Sequence, residues 1–364
     1  MLGKEAKQRA AAKETASRAP ARPDAKKPGT SGAGPKLAGA ARYDKIRDLN
    51  SGSFGFVQLA RDKVTGKKVA IKFIDRGSKV NKHVRNEIIN HRNLLHHHVI
   101  QFREVYLTPK YLCIVMEFAP GGDMLDYVKR KGGLTEDEAR WFFQQLIIGL
   151  DYCHKMGVAN RDIKLENTLL DDSPWPLLKI CDFGYSKHEE LNSAPGSRVG
   201  TPAYLAPEVI MNTRGSTYDG KTADIWSCGV FLYVMMVGSY PFEKSEDRKK
   251  PDKLRRMIQR IVNVDYSIPS WVRMSEDCRD ILSKILVKDL KKRLTMDQLQ
   301  QHRWFRKNLP EGAQDMNKRL QQQGSGLQSV ESITKIVDMA KVKEKVKDDD
   351  ALIDDELANL EDED

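Results

Sequence analysis

The sequence predicts an α+β fold with two lobes, in which a small antiparallel β-sheet lobe precedes a larger helical lobe. Strand-like alternation with hairpin signals runs from Tyr43 to about Asp75, and Thr65-Gly66 marks a turn between two strands. After a short apolar strand and a pair of glycines, the apolar residues recur at helical spacing. We place the lobe boundary near residue 118, and we expect the ligand site in the cleft between the lobes.

Each helical element has its own local signal. Val84 and Ile88 lie on one face of a helix expected after residue 81. A second helix starts at Thr135, which has capping-box spacing to Glu138, and further helices fill residues 219–305.

The two ends of the chain carry opposite charge. Residues 1–42 hold ten Lys or Arg against three acids and have almost no large apolar side chains, whereas residues 348–364 hold ten acids and no base. We therefore predict a disordered basic tail over 1–42 and a disordered acidic tail over 343–364. Between the folded domain, 43–305, and the acidic tail we predict a linker over 306–326 and a helix over 327–342, whose apolar residues recur at helical spacing.

Cysteine usage and apolar patterning argue against several classes of protein. The five cysteines are scattered and show no C-x-x-C spacing, which argues against a disulfide framework or a zinc site and favours a reducing compartment. The longest apolar run, residues 230–237, is too short to cross a bilayer. The basic body leaves nucleic-acid binding open as a rival, but no basic stripe with interleaved aromatic residues supports it. We expect a monomer in the cytoplasm or the nucleus, without nucleic-acid or membrane partners.

A glycine-rich turn followed by a strand-borne lysine indicates nucleotide binding. Residues 48–57, DLNSGSFGFV, fit G-x-G-x-x-G-x-V except that Asn50 stands at the first glycine place. Asparagine tolerates the left-handed backbone region better than most residues, so we expect the turn to survive. Lys72, in VAIK, can hold the α- and β-phosphates of ATP if a carboxylate fixes it, and Glu87 is the candidate carboxylate. Taken singly, either residue is more often an ordinary surface charge.

Further motifs follow in the order that phosphoryl transfer requires. In NRDIKLEN, residues 160–167, Asp162 can accept the proton of a hydroxyl, Lys164 can neutralise the moving phosphoryl group and Asn167 can hold a metal ion. DFG supplies Asp182 as the second metal ligand, and one Asp with one Asn suits Mg²⁺. APE, residues 206–208, closes the segment. The set predicts an enzyme that uses ATP and Mg²⁺.

With these motifs, residues 43–305 resemble a eukaryotic-type protein kinase with Ser/Thr specificity. The resemblance implies that Asp224 anchors the catalytic loop and that Arg293 pairs with Glu208. It makes Met116 the gatekeeper residue. It places ATP against Leu49, Asn50, Gly52, Gly55, Val57, Ala70, Lys72, Met116, Glu117 and Ala119.

The same resemblance assigns residues to the protein substrate. Asp123 and Glu166 lie near the substrate peptide and favour a basic residue upstream of the target serine, while Thr201 is expected to hydrogen-bond near Asp162.

Stretches such as LKICDFGYSK and VGTPAYLAPEVI narrow the resemblance to the plant-lineage sucrose-non-fermenting-related kinases of the second subfamily. This implies stress, osmotic or nutrient signalling and activation by phosphorylation at Ser193 and Ser197, with Ser197 preferred and Arg161 as the partner of its phosphate. The apolar stripe of the helix over 327–342 is expected to dock beside the helix that carries Glu87. The acidic tail is expected to bind a phosphatase or an adaptor, with a purely solubilising role as the alternative.

Two substitutions keep a catalytically weak pseudokinase scaffold open as an alternative. Besides Asn50, Asn160 stands where the family has the His of H-R-D, although an amide can also donate and accept hydrogen bonds.

Three consecutive histidines at 96–98 suggest a turn rather than a metal site, because adjacent side chains cannot all converge on one ion.

Overall fold

The folded part of the chain is described by a computed structural model. All described residues belong to one unit, Leu37–Asp364. The described ranges are 42–52, 55–183, 187–188, 202–212, 217–247, 249–321 and 327–342. The two predicted disordered tails lie outside these ranges except for Arg42, whose guanidinium pairs with the Asp62 carboxylate at 2.8 Å, so the basic tail was drawn one residue too long. Ser193, Ser197 and Thr201 also lie outside the described ranges.

The small lobe contains a five-stranded antiparallel sheet against which two helices pack. The sheet order is β1-β2-β3-β5-β4, so that β5 lies between β3 and β4. The strands are β1 (Tyr43–Gly52), β2 (Gly55–Asp62), β3 (Lys68–Asp75), β4 (Phe102–Leu107) and β5 (Tyr111–Glu117).

The turn between β2 and β3 lies at the predicted Thr65-Gly66. The carboxylate of Asp62 accepts hydrogen bonds from Val64 N and Thr65 Oγ1, and Gly66 takes a φ of +69°. These are the interactions by which an aspartate and a glycine favour a tight turn.

Helix α1 (Lys82–Arg92) follows β3 and packs its apolar face on the sheet. Asn81 caps its first turn, because its side chain accepts from the backbone N–H groups of His83 and Val84. Ile88 and Ile89 are buried in the small-lobe core.

The large lobe is helical and is built around two long helices, Glu136–Lys155 and Gly220–Val237. Helix α5 (Gly220–Val237) is buried on nearly all sides, which explains its continuous apolar run. The other helices of this lobe are α2 (Met124–Lys131), α3 (Glu136–Lys155), α4 (Pro207–Met211), α6 (Lys253–Asn263), α7 (Glu276–Ile285), α8 (Met296–Gln301) and α9 (Arg303–Arg306). The architecture confirms the predicted two-lobed α+β class. Among the described residues, no helix combines the length and apolarity needed to cross a membrane.

The capping box predicted at the start of α3 is only half formed. The Thr135 side chain accepts a hydrogen bond from Glu138 N. The Glu138 carboxylate does not return to the cap, because it accepts from Tyr127 Oη and pairs with Lys131 instead.

Short strands line the cleft face of the large lobe. Strands β6 (Gly122–Asp123), β8 (Thr168–Leu170) and β9 (Leu178–Ile180) form one sheet, while β7 (Val158–Ala159) pairs with β10 (Lys187–His188). The loop between β7 and β8 contains NRDIKLEN, so its ends are fixed by two separate sheets.

The segment predicted as a linker contains a helix, α10 (Asp315–Leu320), that is attached to the large lobe. The buried Asn317 side chain donates to Ile148 O at 3.0 Å and to the Asp151 carboxylate at 2.7 Å. Its Oδ1 bonds with Nε2 of the buried His96 at 3.0 Å, and His96 stacks on Tyr152. A last helix, α11 (Val330–Ala340), packs on the small lobe.

Candidate active site

The strand-borne lysine and the helix carboxylate form an ion pair across the small lobe. Lys72 Nζ on β3 lies 2.8 Å from Glu87 Oε1 on α1, and both side chains are mostly buried. Burial by itself lowers the pKa of Lys72, but the negative charges of Glu87 and Asp182 outweigh it, so the pKa is raised. Lys72 therefore stays a cation in the cleft.

The glycine-rich turn joins two paired strands, and this changes how Asn50 is accommodated. Asn50 pairs with Val57 in the β1–β2 ladder and does not adopt the left-handed backbone region, so the turn does not depend on the tolerance of asparagine for that region. Gly55 carries the conformational demand: its φ is +146°, and a Cβ there would come within 1.8 Å of Phe73 O. Gly52 pairs with Gly55 where the two strands meet the turn.

The remaining predicted ATP-binding positions lie on strands β1, β2, β3 and β5 and on the chain that leaves β5. Ala70 pairs with Met116 across the β3–β5 ladder. Glu117 N donates to Gln101 O, and the Glu117 carboxylate pairs with Lys179 of β9 at 2.8 Å. This pair links the small lobe to the large lobe. The three other predicted positions are Leu49 in β1, Val57 in β2 and the buried Ala119.

Asp162 lies at the centre of a hydrogen-bonded cluster. Its Oδ2 is 2.7 Å from Lys164 Nζ and accepts from Asn167 Nδ2 at 2.8 Å. Burial raises the pKa of Asp162, although the Lys164 hydrogen bond and charge oppose that shift. A raised pKa brings the carboxylate closer to the basicity that a general base needs.

Asp224 anchors the loop that carries Asp162. Its buried carboxylate accepts from Asn160 N at 2.9 Å and Arg161 N at 2.7 Å, and it also bonds with His154 Nε2. Arg161 adopts a φ of +68°, which is uncommon for a side chain of this size, and these bonds stabilise that conformation.

Asn160 connects the catalytic loop to the DFG segment. Its Oδ1 accepts from Asp162 N at 3.0 Å, and its Nδ2 donates to Asp182 O at 3.2 Å. One amide thus uses both its donor and its acceptor. Asp182 has a φ of +60°, and the third residue of this motif, Gly184, lies outside the described ranges.

His91 is a site residue that the motif analysis missed. Its ring stacks on Phe183 with centroids 5.3 Å apart, and its Nε2 bonds with Ile100 O at 2.6 Å. Burial lowers the pKa of His91 to about 4, although the Ile100 hydrogen bond opposes the shift, so the ring is neutral near pH 7. Its place four residues after Glu87, on the same side of α1, was the available signal.

Two of the predicted substrate residues, Asp123 and Glu166, lie in neighbouring elements of the large lobe. Asp123 caps α2 by accepting from Asp126 N at 2.8 Å. Glu166 lies in the 3₁₀ turn Leu165–Asn167, whose first residue donates its N–H to Tyr204 Oη. Tyr204 is a second residue that the motif analysis missed.

The end of the APE motif is fixed to the large-lobe core. Arg293 makes two hydrogen bonds to the Glu208 carboxylate, at 2.6 and 2.9 Å. Its guanidinium also lies over the Trp226 ring. A bidentate pair with a buried arginine is a rigid connection, so α4 is held in one orientation.

Comparison with known proteins agrees with this geometry. Residues 43–305 match the protein kinase domain. The chain is 50% identical over 326 residues to the serine/threonine-protein kinase SAPK3 of Oryza sativa subsp. indica, covering 89% of this chain and 96% of that protein. It is 50% identical over 311 residues to SRK2E of Arabidopsis thaliana, covering 85% and 84%, and 50% identical over 311 residues to SRK2A of Physcomitrium patens, covering 85% and 87%. The chain therefore belongs to the protein kinase family and is a Ser/Thr protein kinase, similar to the plant sucrose-non-fermenting-related kinases of the second subfamily.

Proposed function

We propose that this kinase is catalytically competent and that Asp162 is the base that accepts the substrate hydroxyl proton. The observation that carries the proposal is the simultaneous presence of two arrangements, the Lys72–Glu87 pair at 2.8 Å and the Asp162–Lys164 pair at 2.7 Å. Both are required to position phosphates and a hydroxyl in phosphoryl transfer. Asn50 and Asn160, the two substitutions behind the pseudokinase alternative, are accommodated by strand pairing and by two side-chain hydrogen bonds, so nothing in the described part of the chain favours that alternative.

The residues present fit a nucleotide and a magnesium ion. The Asn167 amide nitrogen donates to Asp162, so its oxygen is the atom suited to a cation, and Asp182 supplies a carboxylate. The close approach of Gly55 to Phe73 O leaves no room for a side chain at the turn over the phosphates. Bound Mg²⁺ would neutralise phosphate charge at Asn167 and Asp182.

Lys164 has two roles in this proposal. Without substrate it neutralises Asp162, as the 2.7 Å separation indicates. With substrate in place it turns to the transferring phosphoryl group, and the Asp162 carboxylate is then available for the hydroxyl proton. Lys72, held by Glu87, orients the α- and β-phosphates.

Helix α11 acts in this proposal as a brace for α1, the helix that carries Glu87. Ile333, Val337 and Ala340 are fully buried in the small-lobe cluster that contains Ile88 and Ile89 of α1. Burying this apolar face favours a fixed position for α1.

Polar contacts hold both ends of the brace. Arg92 at the end of α1 donates to Gln328 O, and the Gln328 side chain forms two hydrogen bonds with the backbone of Val105 on β4. At the other end, Arg76 donates to Met339 O and Gly77 N donates to Ala340 O. Because the contacts reach α1 and the sheet, they fix α1 relative to Lys72.

Activation is proposed to depend on phosphorylation of the segment between DFG and APE, at Ser197 and secondarily at Ser193. The candidate partner of the phosphate is Arg161, whose guanidinium donates to Tyr218 Oη at 2.7 Å. A phosphate near Arg161 would form charge-assisted bonds that order this segment. By analogy with its relatives, we place the kinase in stress, osmotic or nutrient signalling, with the acidic tail binding a phosphatase or adaptor.

The proposed base is tested with Asp162→Asn. We expect kcat to fall at least about 100-fold, because general-base catalysis contributes 10²–10⁴-fold, while the ATP dissociation constant changes little. Full-length enzyme, with and without phosphate on Ser197, should be assayed against a serine peptide, and Ser193→Ala and Ser197→Ala compared. A kcat of Asp162→Asn within threefold of wild type would rule out Asp162 as the base.

A further inference from the structure

Asn317, on helix α10, is a buried residue that lies beyond the part of the chain matching the protein kinase domain. Its side-chain amide uses both of its donor hydrogens and its acceptor. Nδ2 donates to Ile148 O and to the Asp151 carboxylate, both on helix α3, and Oδ1 bonds with His96 Nε2 at 3.0 Å. Asn317 therefore joins His96 to the buried part of α3.

Two buried histidines of the triple run continue this contact. His96 Nδ1 accepts from His98 N at 3.0 Å, so the proton of a neutral ring lies on Nε2, which donates to Asn317 Oδ1. His98 Nδ1 in turn donates to Leu178 O at 3.0 Å. Burial lowers the pKa of His96 to about 3 and that of His98 to about 4, so both rings are neutral near pH 7. We call the bonded series Asn317–His96–His98 the histidine link.

The histidine link ends on strand β9, which His98 holds at two points. Its ring bonds Leu178 O, and its carbonyl accepts from Ile180 N at 2.8 Å. Gly149 of α3 permits this close approach, because a Cβ at that position would come within 2.9 Å of His98 Cβ. Strand β9 is therefore fixed to the loop between α1 and β4 as well as to β8.

The end of β9 leads directly to both residues that we propose as ligands of Mg²⁺. Asp182 follows Ile180 by two residues, and Cys181 N donates to Asn167 O at 3.0 Å. A displacement of β9 would therefore move Asp182 and Asn167 together. Because Mg²⁺ demands near-ideal octahedral geometry, small displacements of its ligands weaken its binding.

We propose that Asn317 is a positioning residue that acts through the histidine link: it fixes strand β9 and thereby the two magnesium ligands, Asn167 and Asp182. This rests on the proposed function, which assigns these ligands, and it extends the machinery of the reaction to a helix outside the matched kinase domain. Since Asn317 acts through β9, its loss should weaken the part of nucleotide binding that depends on Mg²⁺.

The test measures two quantities in the full-length protein. The first is amide hydrogen exchange at Ile180 and Cys181, without nucleotide or metal, which reports whether β9 is held. The second is the magnesium ratio, defined as the dissociation constant of a non-hydrolysable ATP analogue without Mg²⁺ divided by that with Mg²⁺. A general loss of stability lowers the fraction of folded protein in both conditions and leaves the magnesium ratio unchanged.

Two variants break the histidine link at different points. Asn317→Ala should raise exchange at both amides at least about tenfold and lower the magnesium ratio about 3- to 10-fold. His96→Phe should do the same, because it keeps the ring that stacks on Tyr152 and removes both ring nitrogens. It fills the same space, so it gives an answer if Asn317→Ala does not fold. In peptide assays both variants should lower kcat by a similar factor and leave the peptide KM unchanged.

Two matched controls lie outside the histidine link. Gln144→Ala also removes a buried amide, one that donates to Phe305 O at 2.6 Å and Lys307 O at 3.0 Å, and it should keep the wild-type magnesium ratio. His97→Ala removes the exposed middle histidine of the run and should keep both quantities at their wild-type values.

The role of His98 is tested by rescue and by a double variant. His98→Ala should lose the magnesium ratio as Asn317→Ala does, whereas His98→Asn should retain it, because the amide nitrogen of asparagine occupies the place of Nδ1 and can donate to Leu178 O. His98→Ala/Asn317→Ala should lose no more than His98→Ala alone, since both residues act through one link.

Wild-type exchange, or a wild-type magnesium ratio, in both Asn317→Ala and His96→Phe would overturn the proposal. Losses that add in the double variant would overturn it too, as would a wild type whose analogue affinity does not depend on Mg²⁺.

The same measurements separate this proposal from the one on catalysis. If wild type transfers no phosphate to a peptide, yet both quantities change in Asn317→Ala, the proposed function fails and the positioning role stands. If wild type transfers phosphate and neither quantity changes in Asn317→Ala or His96→Phe, the positioning role fails and the proposed function stands.

Discussion

Replacement of Ile333 by alanine is the most informative perturbation of the brace. Ile333 is fully buried between α11 and the small lobe. Truncation of a buried isoleucine to alanine costs about 2–5 kcal/mol in a protein core. Since about 1.4 kcal/mol is a factor of ten, a loss of ~3 kcal/mol shifts the ratio of docked to undocked α11 more than 100-fold.

The expected consequence is a loss of activity without a change in any residue of the cleft. With α11 undocked, α1 loses the packing that fixes Glu87 against Lys72, and we expect kcat/KM to fall about tenfold or more. Hydrogen exchange in residues 330–340 and 82–92 reports docking, and peptide phosphorylation reports activity.

The matched control is Met339→Ala in the same helix. Met339 is 52% exposed, so its truncation should leave docking and activity near wild type. The reasoning is refuted if Ile333→Ala shows rapid exchange over residues 330–340 and still retains kcat/KM within twofold of wild type.

Three further predictions follow from the site. Gly55→Ala should weaken ATP binding at least about tenfold, measured by calorimetry, because its Cβ would lie 1.8 Å from a backbone oxygen. Asn160→Ala should lower kcat roughly 10-fold in peptide assays, because two buried hydrogen bonds are lost, whereas Asn160→His should retain activity. Burial lowers the pKa of His91 and His98 to about 4 and that of His96 to about 3, so the folded state binds fewer protons than the unfolded state. The contribution of these neutral histidines to the free energy of unfolding is complete above about pH 6.5 and is lost as the pH falls towards 4, by up to about 2 kcal/mol per histidine at pH 5. Urea unfolding that gives the same free energy of unfolding at about pH 7.5 and at about pH 5 would contradict this prediction.

The catalytic cluster could be predicted from sequence because its geometry is encoded locally. Asp162, Lys164 and Asn167 lie within six residues, so one loop conformation brings them together. Lys72 and Glu87 are fifteen residues apart and sit on an adjacent strand and helix, which also limits their possible separation. The alternation of the strands and the apolar run of α5 were sufficient for the fold class.

What the sequence did not predict depends on contacts between distant segments. The His96–Asn317 bond spans 221 residues, and the Arg76–Met339 contact spans 263, so no local pattern reports either. The backbone at Asn50 is likewise set by pairing with β2 and not by the tolerance of asparagine for the left-handed region. Tertiary pairing outweighed the local preference of the residue.

The central claim is that the altered loops around Asn50 and Asn160 still belong to a working kinase. It is tested most directly by transfer of labelled phosphate from Mg-ATP to a serine peptide with an upstream arginine, with wild type run beside Asp182→Asn. Our account predicts transfer by wild type and its loss in the variant. Absence of transfer from wild type, even after phosphorylation of Ser197, would contradict the account.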